Sequence, residues 1–319
     1  MKYVRLPNTD LEVSGVCLGT VEFGSTISRE DSFALMDAFV DAGGKFMDTA
    51  NVYADWQTET PGISERTIGE WVSSRGCADS VIVATKGGHP AAAGPRLSPE
   101  QVYSDLKESI RRLQADRIDL YWLHRDNPGI PVDQILGILE SARGEGLICY
   151  YGASNWSVGR LREAAAYVKN KGITGMVASQ IQWSLADIRP ECIPDPTTAA
   201  MDSEILAYHQ ATGLPQIPFG SQANGFFSGK YSRSQPESGR PEVRRLYDTE
   251  RNWSRLERAC ELAGQLGCTC NQVCLAYLMA QPFPTIPIVG CRRMDQMMDS
   301  IGATDVNLTD EQVEFLKGV

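Results

Sequence analysis

VIVATKGGHPAAAGPRLSPEQVYSDLKESIRRLQADRIDLYWLH, residues 81–124, holds a strand, a helix and a second strand in that order. VIVATK is β-branched and apolar, and IDLYWLH repeats that character, the composition of buried strands. Between them, Ser98 reads as an N-cap with Pro99 at the first helical position, ahead of EQVYSDLKESIRRL, whose apolar residues recur at helical spacing. Two strands joined by such a helix predict a parallel pair, because parallel neighbours need a long crossover.

The unit recurs along the chain. VCLGT (16–20), KFMDTA (45–50), ICYYGASN (148–155), VASQIQW (177–183), LPQIPF (214–219) and TIPIVG (285–290) complete a set of eight strands, each followed by helical periodicity. Ser28 before REDSFALMDAFVDAGG and Ser64 before ERTIGEWV read as further N-caps. Eight units predict an α/β fold closed as a single-domain (β/α)8 TIM barrel over residues 1–319, since eight strands close at a diameter that side chains fill. The alternative is an open doubly wound sheet, but no GxGxxG follows the first strand. YVRLPNTDLEV (3–13) predicts a β-hairpin that caps the barrel floor. The long Gly-, Ser- and Arg-rich stretch at 221–250, after strand seven, predicts an irregular loop at the barrel mouth.

Composition narrows the function. With 42% hydrophobic and 22% charged residues, the chain has enough apolar surface for a large core and no signature of disorder. The net charge of −10, with basic residues scattered, argues against nucleic acid as a partner. No run of eighteen apolar residues and no leader-like segment is present, so the expectation is a soluble, cytoplasmic protein with no membrane partner. The nine cysteines include no CxxC pair and fall mostly in apolar segments, which predicts reduced thiols. Cys268, Cys270 and Cys274 lack a fourth ligand spaced beside them, so no metal is expected there.

In a parallel barrel, side chains at the C-terminal ends of the strands converge on one mouth. Here those ends carry Asp48, Lys86, His124, Ser154-Asn155 and Gln180, with Tyr53 five residues beyond Asp48. On a period of two, Asp48 shares a face with Phe46, Lys86 with Ala84 and His124 with Trp122. A single strand-end Asp, Lys or His has an ordinary reading as a loop cap, a solvated charge or a satisfied core residue. Several on successive units are a constellation.

LGTVEFG, DTANVY, ATKGG, LHRDN, GASNW, SQIQWS, GFFSGKY and IPIVGCRRMDQ together resemble the aldo-keto reductase superfamily over nearly the whole chain. The resemblance implies reduction of a carbonyl compound, an aldehyde, ketone or sugar, by hydride from NADPH or alternatively NADH. It implies a catalytic set of Asp48, Tyr53, Lys86 and His124. The chemistry agrees: an alkoxide left by hydride transfer needs a proton, and an ordinary phenol, with a pKa of about 10, is a weak acid for that task. A neighbouring ammonium favours the phenolate, so Lys86, anchored by Asp48, is expected to lower the Tyr53 pKa. His124 would orient the carbonyl oxygen by a hydrogen bond.

The resemblance also implies where the cofactor lies. Gly19, Thr20, Val21 and Asp48 would border it, and Ser154, Asn155 and Gln180 would hold the nicotinamide carboxamide. Phe219 stands where the family usually stacks a Tyr on the ring, and Gly220, Ser221, Gln222, Asn224, Gly229 and Lys230 follow in the pyrophosphate loop, departing from the usual Pro-Leu pair. Gly290, Cys291, Arg292 and Arg293 precede a predicted helix whose N-terminus faces the adenosine phosphate, and two arginines favour the 2′-phosphate of NADPH. Gln296, Asp299 and Ser300 depart from the family's Arg and Glu-Asn. Trp56, His89, His124 and Trp156 are the expected substrate contacts. Two other readings stand beside this one, a Schiff-base aldolase using Lys86 and a nucleotide-sensing subunit without catalysis.

Overall fold

The computed structural model describes residues 1–92 and 94–318. It opens with β1 (Tyr3–Arg5) and β2 (Glu12–Ser14), paired antiparallel with Tyr3 opposite Ser14. Asn8, at φ 62°, makes the turn, a conformation that Asn tolerates better than most residues. Leu6, Leu11 and Val13 of this hairpin join one buried cluster with Phe46, Ala84, Leu120 and Trp122 from the barrel interior. The predicted hairpin is therefore a plug on the barrel core.

The barrel begins with β3 (Cys17–Gly19), α1 (Arg29–Asp41), β4 (Phe46–Asp48) and α2 (Ile63–Arg75). It continues through β5 (Ile82–Gly87), α3 (Pro99–Leu113), β6 (Ile118–Leu123), α4 (Val132–Gly144), β7 (Ile148–Ser154), α5 (Val158–Lys171), β8 (Met176–Gln180) and α6 (Ser203–Thr212). After the long loop come α7 (Pro241–Tyr247), α8 (Glu250–Leu266), α9 (Cys270–Met279), β9 (Ile288–Gly290), α10 (Met294–Gly302) and α11 (Asp310–Lys317). The strands of the main sheet are parallel in the order β8-β7-β6-β5-β4-β3-β9, and the curled sheet is that of a (β/α)8 barrel.

The seventh predicted strand closes the ring without forming a regular ladder. Residues 215–219 bond to β8 and its extension through Ile217 N to Ser179 O (2.9 Å) and Phe219 N to Ile181 O (3.1 Å). On the other side Gln216 N donates to Pro284 O (2.8 Å) and Ile288 N to Pro218 O (2.9 Å). Pro215 and Pro218 lack N–H donors, so the pairing is reduced to isolated bridges.

Ser28 caps α1 by accepting from Asp31 N, and Ser98 with Gln101 forms a reciprocal capping box on α3. Ser64 is different. Gly62, at φ 64°, caps α2, and Ser64 sits buried within the first turn, where it bonds to Thr20 and Thr49. Its hydroxyl is spent on joining two strand ends.

The stretch 221–250 is less irregular than its composition predicts. Phe226, Phe227, Tyr231, Tyr247 and Trp253 form a buried aromatic cluster that anchors it against α7, α8 and α9. No helix among the described residues is long and apolar enough to cross a membrane. All nine cysteines are free.

Candidate active site

Strand register assembles the mouth. Asp48 lies opposite Ala84, so Lys86 projects two residues further along β5, and Ser154 lies opposite Gln180. Beyond Asp48 the chain stays paired for one more step, since Thr49 N donates to Ala84 O and Asn51 N to Lys86 O. The turn that follows carries Tyr53 back over β5. It closes at Ala54, a buried non-glycine at φ 68°, the kind of backbone outlier that tightly determined sites hold.

Lys86 is almost fully buried and donates to three oxygens: a carboxylate oxygen of Asp48, the carbonyl of Thr49 at 2.8 Å and the hydroxyl of Tyr53 at 2.8 Å. The other Asp48 oxygen accepts from Gln180 Nε2 at 3.0 Å. Burial alone would push the lysine down, but Asp48 and Tyr53 overcome it and hold the ammonium above its ordinary value. Lys86 therefore stays charged.

Tyr53 departs from the sequence expectation. Its ring keeps part of its surface open, yet burial acts first and pushes the phenol above its ordinary 10.0, while the Lys86 ammonium pulls the other way. In this structure desolvation wins over the cation. The hydroxyl is held protonated, the form from which a proton can be given.

His124 faces the same space, its ring centroid 5.9 Å from that of Tyr53 and 4.8 Å from that of His89. Burial first, then the charges of Lys86, Arg125 and His89, holds its imidazole well below 6.5, so the ring is neutral. Its buried Nδ1 has no protein partner, unlike nearly all buried polar atoms. A neutral imidazole can donate one hydrogen bond.

The remaining predicted residues fall into separate groups. Asn155, at φ 62°, donates from Nδ2 to His124 O and Ser154 Oγ and accepts Ala199 N on Oδ1, so its amide is already engaged. Phe219 ends its strand partly exposed, and Gly220 follows at φ 64°. Ser221 donates to Ile288 O, and Gln222 spans Gly290 N, Asn271 and Ser300. Gly229 has open space where a Cβ would be, Lys230 is exposed and Asn224 stands at φ 53°. Trp56 is 63% exposed, whereas Trp156 is fully buried beneath the Arg160 guanidinium and offers no surface to a substrate.

Around the last strand, Arg292 forks onto Glu22 (Nε to Oε2 2.6 Å) and Arg293 onto Asp295 (2.9 and 2.7 Å). Both guanidinia are exposed but occupied by carboxylates. Arg293 is the N-cap of α10 without a side-chain cap, Gln296 accepts from Arg292 N, and Asp299 accepts from Thr269 and Asn271. Cys291 is buried, and burial pushes its thiol up to about 12.

Two buried charged residues beside the site carry no role predicted from the sequence, although Arg125 lies within the LHRDN stretch. Arg125, next to His124, donates to the His124 carbonyl (2.8 Å), Thr197 and Asp195 (2.7 Å), and so ties the loop after β8 to the strand end. Glu65 is completely buried in α2, where burial pushes its carboxyl above the ordinary range. Its signal is legible in retrospect: Glu65, Ile68 and Val72 share one helical face, which puts a carboxylate on the apolar stripe.

Among the described residues no group of three or more His, Cys, Asp or Glu is arranged to hold a metal ion. With this geometry in place, the family model described as "Aldo/keto reductase family" matches residues 15–319. The chain belongs to the aldo-keto reductase family. Relatives of this aldo-keto reductase include an uncharacterized oxidoreductase, YrpG, of Bacillus subtilis (32% identical, covering 100% of this chain and 96% of the relative). An aryl-alcohol dehydrogenase [NADP(+)] of Phanerodontia chrysosporium is 30% identical over 97% of this chain and 83% of its own length. The crystal structure of a thermostable aldo-keto reductase in complex with epalrestat superposes with a TM-score of 0.74 at 22% identity, covering 100% of this chain and 99% of that one, and shares the fold. This aldo-keto reductase is thus an oxidoreductase of the carbonyl-reducing class, a family that uses nicotinamide cofactors.

Proposed function

We propose that this aldo-keto reductase reduces an aldehyde or ketone to the alcohol with NADPH, Tyr53 giving the proton. The observation that carries the reading is the 2.8 Å contact between Lys86 Nζ and Tyr53 Oη, beside the unpartnered, neutral His124. When bound, the nicotinamide supplies the hydride. Tyr53 donates its proton to the developing alkoxide, and Lys86 stabilises the phenolate left behind. His124 donates a hydrogen bond to the carbonyl oxygen and fixes its direction. Asp48 keeps the ammonium in place, with Gln180 on its second oxygen.

The chain has suitable places for the cofactor. Phe219 offers an aromatic face at a strand end, a Cβ at Gly229 or Gly290 would meet open space, and the α10 N-terminus has no side-chain cap. Ser154, Asn155 and Gln180 border the nicotinamide end in this reading, and Arg292 and Arg293 the adenosine phosphate. The arginines and the NADP(+) in a relative's name support NADPH over NADH. Trp56 and His89 would line the substrate. The free cysteines fit a reducing, cytoplasmic setting.

A Schiff-base role for Lys86 fits less well. Its ammonium is saturated by three acceptors and held protonated, whereas an amine nucleophile must be neutral. The deciding experiment is Tyr53→Phe assayed over a panel of aldehydes and ketones with NADPH. Turnover should fall by about 10²–10⁴-fold with NADPH binding retained. A rate near that of the unaltered enzyme rejects Tyr53 as the acid.

A further inference from the structure

Lys86 and Tyr53 stand 33 residues apart on different barrel units, so their contact depends on how the turn 49–54 is held against β5. The peptide of Asn51 is the fixed point. Its N–H donates to Lys86 O at 3.0 Å, and its carbonyl accepts from Arg112 Nη1 at 2.8 Å. The same Arg112 nitrogen reaches Glu65 Oε2 at 3.3 Å. The second carboxylate oxygen, Oε1, accepts from Thr85 Oγ1 at 2.6 Å, the residue next to Lys86.

One buried carboxylate thus connects two mounts. Through Thr85 it grips the strand that carries the ammonium, and through Arg112 it grips the turn two residues before the phenol. Glu65 is 0% exposed and Arg112 11% exposed, so the pair bears a desolvation penalty that well-packed apolar side chains would avoid. A buried ion pair is weak evidence for stability, and what this one visibly does is join the two mounts.

We infer that Glu65 and Arg112 are a positioning pair that sets the Tyr53 hydroxyl against the Lys86 ammonium. The inference rests on the reading of Tyr53 as proton donor, and it assigns neither residue a contact with substrate or cofactor. A misplacement of the order of 1 Å far from the reacting atoms can cost about 10²-fold in rate, which sets the scale of the effect.

The test uses the full chain with NADPH and a carbonyl substrate, comparing Glu65→Gln and Arg112→Lys with Tyr53→Phe. Glu65→Gln keeps an acceptor for Thr85 but loses the ion pair. Arg112→Lys keeps a cation beside Glu65, so the core holds no unpaired charge, but it loses the planar guanidinium whose Nε is held by Glu108 while Nη1 points at both Glu65 and the Asn51 carbonyl. In both, kcat per NADPH-binding site should drop between about 10- and 100-fold with the KM for NADPH unchanged, and the alkaline limb of the kcat–pH profile should move. Should Glu65→Gln fail to fold, Arg112→Lys alone decides. A merely structural pair would lower the melting temperature yet leave kcat per site and its pH profile as they are, and that result overturns the inference. Tyr53→Phe separates the two claims: full activity there removes the premise, whereas an inactive Tyr53→Phe beside a normal Arg112→Lys removes the positioning role alone.

Discussion

The ammonium of Lys86 lies 2.8 Å from the hydroxyl of Tyr53, yet the phenol stands above its ordinary pKa. The cation does not make the resting residue acidic. Its effect is to oppose a burial penalty and to wait for the charge that appears when the proton leaves.

That balance can be titrated. Ultraviolet absorbance of the ligand-free protein minus that of Tyr53→Phe isolates one phenol, and its midpoint should lie above 10.0. A proton donor must be protonated, so the reduction rate should hold through neutral pH and decline only as the pH rises through that midpoint. A midpoint clearly below 10.0 would mean that Lys86 outweighs desolvation.

Lys86 also neutralises Asp48, and both side chains are about 98–99% buried. Lys86→Met leaves the carboxylate in the core with Gln180 as its remaining donor, so chemical denaturation should register a loss of about 3–5 kcal/mol together with loss of turnover. Adding Asp48→Asn should return most of the stability and none of the activity. A double variant no more stable than the single one would show that charge burial is not the cause.

Acid should destabilise the fold through His209. Its ring is buried, bonds Leu214 O at 2.7 Å, and is held by burial below 6.5. The unfolded chain binds a proton that the folded one refuses, so the stability contribution is complete above pH 6.5 and is lost as the pH falls below it. His124 acts with the same sign. Stability of His209→Gln, followed by denaturant melts from pH 7.5 down to about pH 5, should fall less steeply than that of the unaltered protein. Parallel curves would remove His209 from the account.

Cofactor choice is testable at the last strand. Arg293→Ala should weaken NADPH binding much more than NADH binding. Asp295 now occupies that guanidinium. Asp295→Asn frees the arginine and removes a like charge from the phosphate's approach, so NADPH affinity should rise several-fold with NADH affinity unchanged, read by fluorescence titration. Equal effects on both cofactors would discard the 2′-phosphate assignment.

Much of this was open to reading in one dimension. The strands of the quoted stretch, the Ser98 capping box, the hairpin and the polar residues at the strand ends follow from local periodicity and turn chemistry, which neighbouring residues decide. Ser64 was misleading because a serine ahead of a helical pattern looks like a cap wherever it stands. Only packing turned its hydroxyl inward to Thr20 and Thr49. Trp156 likewise reads as an aromatic wall in a loop, and the fold buries it under Arg160.

Sequence by itself determined the alternation that closes the barrel and which side chains reach its mouth, because a period of two and a helical period are properties of adjacent residues. Tertiary structure decided what those side chains do to one another. The triple grip on Lys86, the rise of the Tyr53 phenol, the occupation of Arg292 and Arg293, and the link from Glu65 through Arg112 to Asn51 all depend on distances across the ring and on exclusion of water. Desolvation belongs to the surroundings of a group rather than to its neighbours in the chain, so no reading of order alone could have ranked it above the nearby charge.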